Sequence, residues 1–119
     1  MATPNLRLNK DAVIFAQEQI SKGNYLNTKK TWEKEKPTAE NEDGYLATHA
    51  WHNYGLWFLA INCEESQGTK AYYEFPLGNF DKIYYSALVA AKTRAEEYHH
   101  SEIVNATTML IELIDQKAP

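Results

Sequence analysis

Residues 54–95 run through an aromatic apolar stretch, a polar break, an aromatic segment closing in Phe75-Pro76-Leu77-Gly78-Asn79-Phe80, and an amphipathic helical pattern. No other part of the chain restricts the fold as much. Residues 56–61 form a continuous apolar run, too short for an independent helix and long enough for a strand covered on both faces. Residues 70–75 predict a second strand, which Pro76 ends because it has no N–H to give to a ladder. Between them, residues 62–69 carry Glu64, Glu65, Ser66 and Gly68, which suits a hairpin loop longer than the two-residue kind. A two-stranded hairpin is marginal in water, so helices have to cover it.

Four helices are predicted. Asn9 is a good N-cap for a helix over residues 10–22, where Ala12, Val13, Phe15, Ala16 and Ile20 make an apolar stripe and Gly23 is suited to the position after the C-cap. Thr38, followed by Glu40, Glu42 and Asp43, predicts a second helix over residues 38–53, closed by Gly55; Gly44 within it costs roughly 1 kcal/mol relative to Ala. Asn79 then caps a third helix, with Phe80, Ile83, Tyr84, Ala87, Leu88, Ala91 and Ala95 on one face and Asp81, Lys82, Lys92, Thr93, Glu96 and Glu97 opposite. Ser101 caps the fourth, in which Ile103, Thr107, Leu110, Ile111 and Ile114 face one way and Val104, Met109 and Leu113 broaden the stripe. That breadth predicts burial between two elements or a self-association surface. Residues 24–37 read as a polar, lysine-rich loop pinned by Trp32. The expectation is one α+β domain over residues 1–119, a β-hairpin covered by about four helices.

Charge and cysteine usage narrow the function classes. A net charge of −4 over 119 residues argues against nucleic acid as a partner, since phosphate binding calls for a basic face. Cys63 is the only cysteine, so no internal disulfide is available. The first ten residues lack the apolar centre of a signal peptide, and no run approaches the roughly 18 apolar residues of a membrane helix. A cytoplasmic protein without membrane association is expected.

The pattern Trp57-Phe58-Leu59, Thr69-Lys70, Tyr73-Glu74-Phe75-Pro76-Leu77-Gly78-Asn79-Phe80 and Ala90-Ala91-Lys92-Thr93-Arg94-Ala95 resembles a family of small stand-alone bacterial proteins, with similar segments in phage-type proteins. The resemblance covers about the last seventy residues and extends at most to the whole chain; it implies a shared fold, and the family has no assigned biochemical activity. The chain departs from that pattern where Ala60 stands for Gly, Glu74 for Lys and Asn79 for Asp. Glu74 makes a cationic position anionic, which counts against an anion-binding role for that segment.

Candidate chemistry is sparse. His49 and His52, three apart, would share one face of a helix and could hold zinc if His99 or His100 supplied a third ligand, but the further ligands of fixed spacing that mark zinc sites are missing. Glu96 with His99 and Glu97 with His100 match the Glu-x-x-His pair of di-iron bundles, yet the glutamates fall on the polar face. Cys63 beside Glu64 and Glu65 sits in an electronegative setting that suppresses the thiolate. No catalytic residue and no cofactor are therefore expected. The dense aromatic set around the hairpin puts Tyr72 and Tyr85 outside the core pattern; with Met109 and Leu113 they are the expected interaction surface. The leading expectation is a non-catalytic protein-interaction or assembly module, homo-oligomeric or bound to a protein partner. The alternative is a small-molecule or metal-binding protein using His49, His52 and the Trp51/Trp57 region.

Overall fold

The computed structural model describes residues 5–28 and 30–117. Residues 1–4, Lys29 and residues 118–119, which the expected domain of 1–119 and the polar segment 24–37 take in, lie outside the described residues. In chain order the elements are β1 (Leu6–Leu8), α1 (Lys10–Ser21), β2 (Tyr25–Leu26), α2 (Trp32–Glu35), α3 (Ala39–Thr48), α4 (Trp51–Gly55), β3 (Phe58–Asn62), a 3-10 turn (Lys70–Tyr72), β4 (Tyr73–Pro76), β5 (Ile83–Tyr84), α5 (Tyr85–Glu97) and α6 (Ser101–Lys117). The class is α+β, as the sequence predicts.

The apolar run becomes a strand covered on both sides. Phe58, Leu59, Ala60 and Ile61 are all buried, and β3 lies between β1 and β4 in an antiparallel three-stranded sheet. Successive strand side chains point to opposite faces, so Phe58 and Leu59 each need their own cover. Phe58 finds it among the rings of Tyr54, Tyr73 and Phe80, at centroid distances of 4.8, 5.9 and 6.2 Å. Burying each such side chain contributes roughly 1.5–3 kcal/mol, which makes β3 the energetic centre of the sheet. Its hairpin partner is shorter than residues 70–75: Lys70–Tyr72 turn as a 3-10 helix, and the strand starts at Tyr73 with Pro76 at its end. The third strand, β1, is too short for periodicity to reveal.

The helices close over this sheet. Ala12, Ala16 and Ile20 of α1 are buried, and the helix ends with Gly23 at φ 81° while the N–H groups of Gly23 and Asn24 reach back to Ile20 and Gln19. Asn9 occupies the N-cap position, but its side chain does not cap. Its Nδ2 donates instead to the Gly55 and Phe58 carbonyls, both at 3.0 Å, and its backbone N–H donates to Leu59. Helix α6 packs against both α1 and α5, and that double contact explains its broad stripe: Ile103, Ala106, Thr107, Leu110 and Ile114 are buried, with Val104, Met109 and Leu113 partly so. The α5–α6 turn repeats the α1 ending with His99, at φ 57°, in the left-handed position. His100 Nε2 donates to the Leu6 carbonyl at 3.0 Å and ties this turn to β1. The α6 cap falls one residue before Ser101, since the Val104 N–H bonds to the His100 carbonyl.

Two predicted helices are different in the structure. The helix expected over residues 38–53 stops at Thr48, with His49 and Ala50 extended before the short α4. Thr38 does start it, through a reciprocal capping box with Asn41. At its end the Thr48 hydroxyl and His49 Nδ1 both bond the Tyr45 carbonyl, and such local bonds compete with the helical ladder. The third helix begins at Tyr85 rather than Phe80. Asn79 Oδ1 accepts from the Asp81 and Lys82 N–H groups at 3.1 and 2.8 Å, making a turn instead of a cap. Phe80 adopts φ 67°, and β5 pairs in parallel with β2. Phe80, Ile83 and Tyr84 matched the helical spacing, but tertiary pairing overrides it.

The polar segment 24–37 carries β2 and the single turn α2. Trp32 is buried edge-on against Tyr84 at 5.7 Å, as its pinning role predicts. The Glu35 carboxylate accepts from the Thr28 hydroxyl at 2.6 Å and the Ser86 hydroxyl at 2.7 Å, so α2 is clamped over the start of α5. Among the described residues no helix is long and apolar enough to cross a membrane.

A Cβ at Gly78 would strike the Lys82 carbonyl oxygen, a backbone atom that cannot move aside cheaply. Gly78→Ala should therefore lower stability by more than about 1 kcal/mol in urea unfolding. His99→Gly should raise it by about 0.5–1 kcal/mol in the same measurement, because glycine accepts the left-handed φ without a Cβ penalty.

Candidate functional site

The side of α5 turned towards α2 carries small residues. Ala87, Ala90 and Ala91 leave space between this helix and α2, and Val89 at its middle stays 43% exposed. Two clefts of about 450 and 440 Å³ lie along that space, and both are lined by Trp32, Glu33 and Ala90. They form one groove running past α2 from Tyr85 to Arg94, a helical span of roughly 13–14 Å at 1.5 Å per residue. Its floor at the Arg94 end is Phe75 and Pro76 of β4.

The Arg94 end is the most ordered part of the groove. The Arg94 guanidinium carbon lies 5.9 Å from the Phe75 ring centroid and 5.6 Å from that of Tyr98, while Nη2 donates to the Tyr98 hydroxyl at 2.7 Å. Tyr98 is one turn after Arg94 on the same helix face, so helical geometry brings the two together. Phe75 is in the left-handed region at φ 63°, a conformation that costs a non-glycine residue about 1–3 kcal/mol and persists only where its surroundings over-determine it. Residues two apart in a regular strand share a face. Here Tyr73 packs on Trp51, Tyr54 and Phe58, whereas Phe75 turns to Tyr98 and Arg94. The positive φ at Phe75 breaks the alternation and supplies the floor of the cleft.

Charge is arranged around that floor. Lys36 pairs with Glu33 at 3.0 Å; among the described residues no carboxylate lies within ion-pair distance of Arg94. Glu74, next to Phe75 on β4, is half-buried opposite Ala60. Burial pushes its carboxyl above the usual range, with Arg94 pulling it back and Glu65 pushing it further up.

The residues singled out from sequence are dispersed. Of the expected interaction surface, Tyr85 lines the groove, and burial with the nearby Asp115 carboxylate pushes its phenol up. Tyr72 instead accepts from Arg7 at 3.4 Å, and Met109 Sδ accepts from Gln17 at 3.5 Å. Leu113 packs against the core. The helical break at His49 removes the shared face it would have with His52: His49 stacks on Tyr45 at 3.8 Å, and His52 is exposed. His99 and His100 serve the α5–α6 turn. Among the described residues no group of three or more His, Cys, Asp or Glu is placed to hold a metal ion. Trp51 and Trp57 belong to the ring packing, Trp51 over Tyr54 and Tyr73 and Trp57 against Phe15. Cys63 is exposed. The groove residues Ala90 and Arg94 are not singled out from sequence as a site; the one-turn spacing of Arg94 and Tyr98 is the local signal that marks Arg94.

A raised folded-state pKa means that Glu74 favours the native state when protonated and opposes it when ionised. Its contribution should fall as pH rises from about 4 towards neutrality. Glu74→Gln should flatten that fall, so the stability difference between variant and wild type should grow in the variant's favour from about pH 4 to about pH 7 in paired urea titrations.

No family model, curated protein or solved structure matches the chain.

Proposed function

We propose that this chain is a non-catalytic cytoplasmic binding module that holds a short segment of a protein partner in the groove between α2 and α5. The observation that carries the reading is the groove itself: two adjoining clefts sharing Trp32, Glu33 and Ala90, walled by small side chains, with Val89 left exposed. Clefts of this size accept several side chains. At about 3.3 Å per residue, the span from Tyr85 to Arg94 matches roughly four residues of extended peptide. The exposed thiol of Cys63, unpaired by any other cysteine, accords with a reducing compartment.

The groove is also a built feature. Glu35 ties α2 to α5 through the Ser86 hydroxyl and to its own segment through Thr28, and Trp32 fills the space beneath, so the wall opposite the alanines is pre-formed. Preorganisation of this kind reduces the ordering entropy lost on binding.

Ala90→Trp should fill the groove where the two clefts meet. Peptides selected from a random display library on the wild-type protein should lose about tenfold or more in affinity on this variant, with an unchanged melting curve. Selected peptides that bind both proteins equally would remove the groove from the reading, and a library that yields no binder to the folded wild type would remove the module itself.

A further inference from the structure

We propose that the groove's occupant is an acidic peptide segment, with a carboxylate seated on Arg94 and an adjacent apolar side chain on the Phe75–Pro76 floor; this rests on the binding-module reading above.

The groove's charge opposes that of the chain. The net charge is −4, yet the two clefts are lined by three cations, Lys30, Lys36 and Arg94, against the carboxylate of Glu33. Glu33 is matched by Lys36 at 3.0 Å, which leaves Lys30 at one end of the groove and Arg94 at the other without an ion pair among the described residues. A negatively charged protein that concentrates unmatched cations along one apolar groove is complementary to an acidic segment and repels it elsewhere.

Arg94 suits a carboxylate better than a lysine would. Its guanidinium is held by the Phe75 and Tyr98 rings and by the Tyr98 hydroxyl, which uses one of its five N–H donors. A planar fork held in this way needs little further ordering to bind a carboxylate through two parallel N–H···O bonds. Beside it, the partly exposed Pro76 and Ala90, over the buried Phe75, Ala87 and Ala91, give the apolar contact for the neighbouring side chain. The opposing groups are Glu74 and Glu97, whose carboxylates act on Arg94 and would repel an incoming acid.

Three fluorescein-labelled pools of peptides, each about six residues long and carrying leucine and phenylalanine, test this by fluorescence polarisation: one with two aspartates, one with two lysines and one uncharged. The aspartate pool should bind best, and Arg94→Gln should weaken it about tenfold or more while leaving the uncharged pool unchanged. Glu74→Gln should tighten the aspartate pool. Should Arg94→Gln disturb the fold, the wild type still decides: raising salt from about 50 to about 500 mM should weaken the aspartate pool and spare the uncharged one. Equal binding of all three pools, with no salt dependence, would overturn the acidic occupant and leave the binding groove standing. Binding of none would overturn both. Light scattering on the wild type and Arg94→Gln supplies the last arm: a dimer that the substitution dissociates would make a second copy of this chain the occupant and overturn the proposal.

Discussion

The fold depends on covering β3 from both sides. Phe58 and Leu59 point to opposite faces and are both buried, so a one-sided hairpin would leave one apolar face in water. β1 and β4 satisfy the strand's edges, and the rings of Tyr54, Tyr73 and Phe80 close the Phe58 face. Asn9 then joins sheet to helix: its side chain reaches the Gly55 and Phe58 carbonyls, so the start of α1 is set by the entry to β3. Removing that amide would leave acceptors unsatisfied at the centre of the molecule, where an unmade hydrogen bond is most costly.

The groove follows from the same constraint, one layer out. β4 has to pair with β3 through Phe58 and Pro76, and the left-handed backbone at Phe75 sends that ring towards α5 instead of into the aromatic cluster around Tyr54. Ala87 and Ala91 of α5 are buried beside that ring, and the partly exposed Ala90 leaves the cleft open above it. α2 closes the far side because Glu35 finds two hydroxyl donors, one from its own segment and one from α5. A wall held by two hydrogen bonds and one buried tryptophan is a local structure, and it positions the groove without disturbing the sheet.

Several elements were legible in the sequence because their signals are local. The run at residues 56–61, the α1 stripe with its Gly23 ending, the Thr38 cap and the long apolar face of α6 each depend on spacing within one segment. The failures share a different cause. Residues 80–84 have helical spacing but extended or turn conformations, because Ile83 and Tyr84 pair with Tyr25 and Leu26, nearly sixty residues earlier. The break at His49 came from side chains competing for the Tyr45 carbonyl, a detail that hydrophobic periodicity does not register. Of the expected surface residues, Tyr85 reached the groove because it starts α5 beside α2, while Tyr72 and Met109 found polar partners far along the chain.

By itself the sequence determined the class of the fold and the places where its strands and helices needed cover, since burial patterns and turn residues act within a few positions of one another. Only the tertiary structure decided which cations stay without an ion pair, which aromatic ring turns from the Tyr54 cluster towards α5, and where the surface opens. Those properties belong to residues brought together from Trp32, Phe75 and Arg94, on three different elements. Their proximity follows from packing around β3, and no spacing along the chain encodes it.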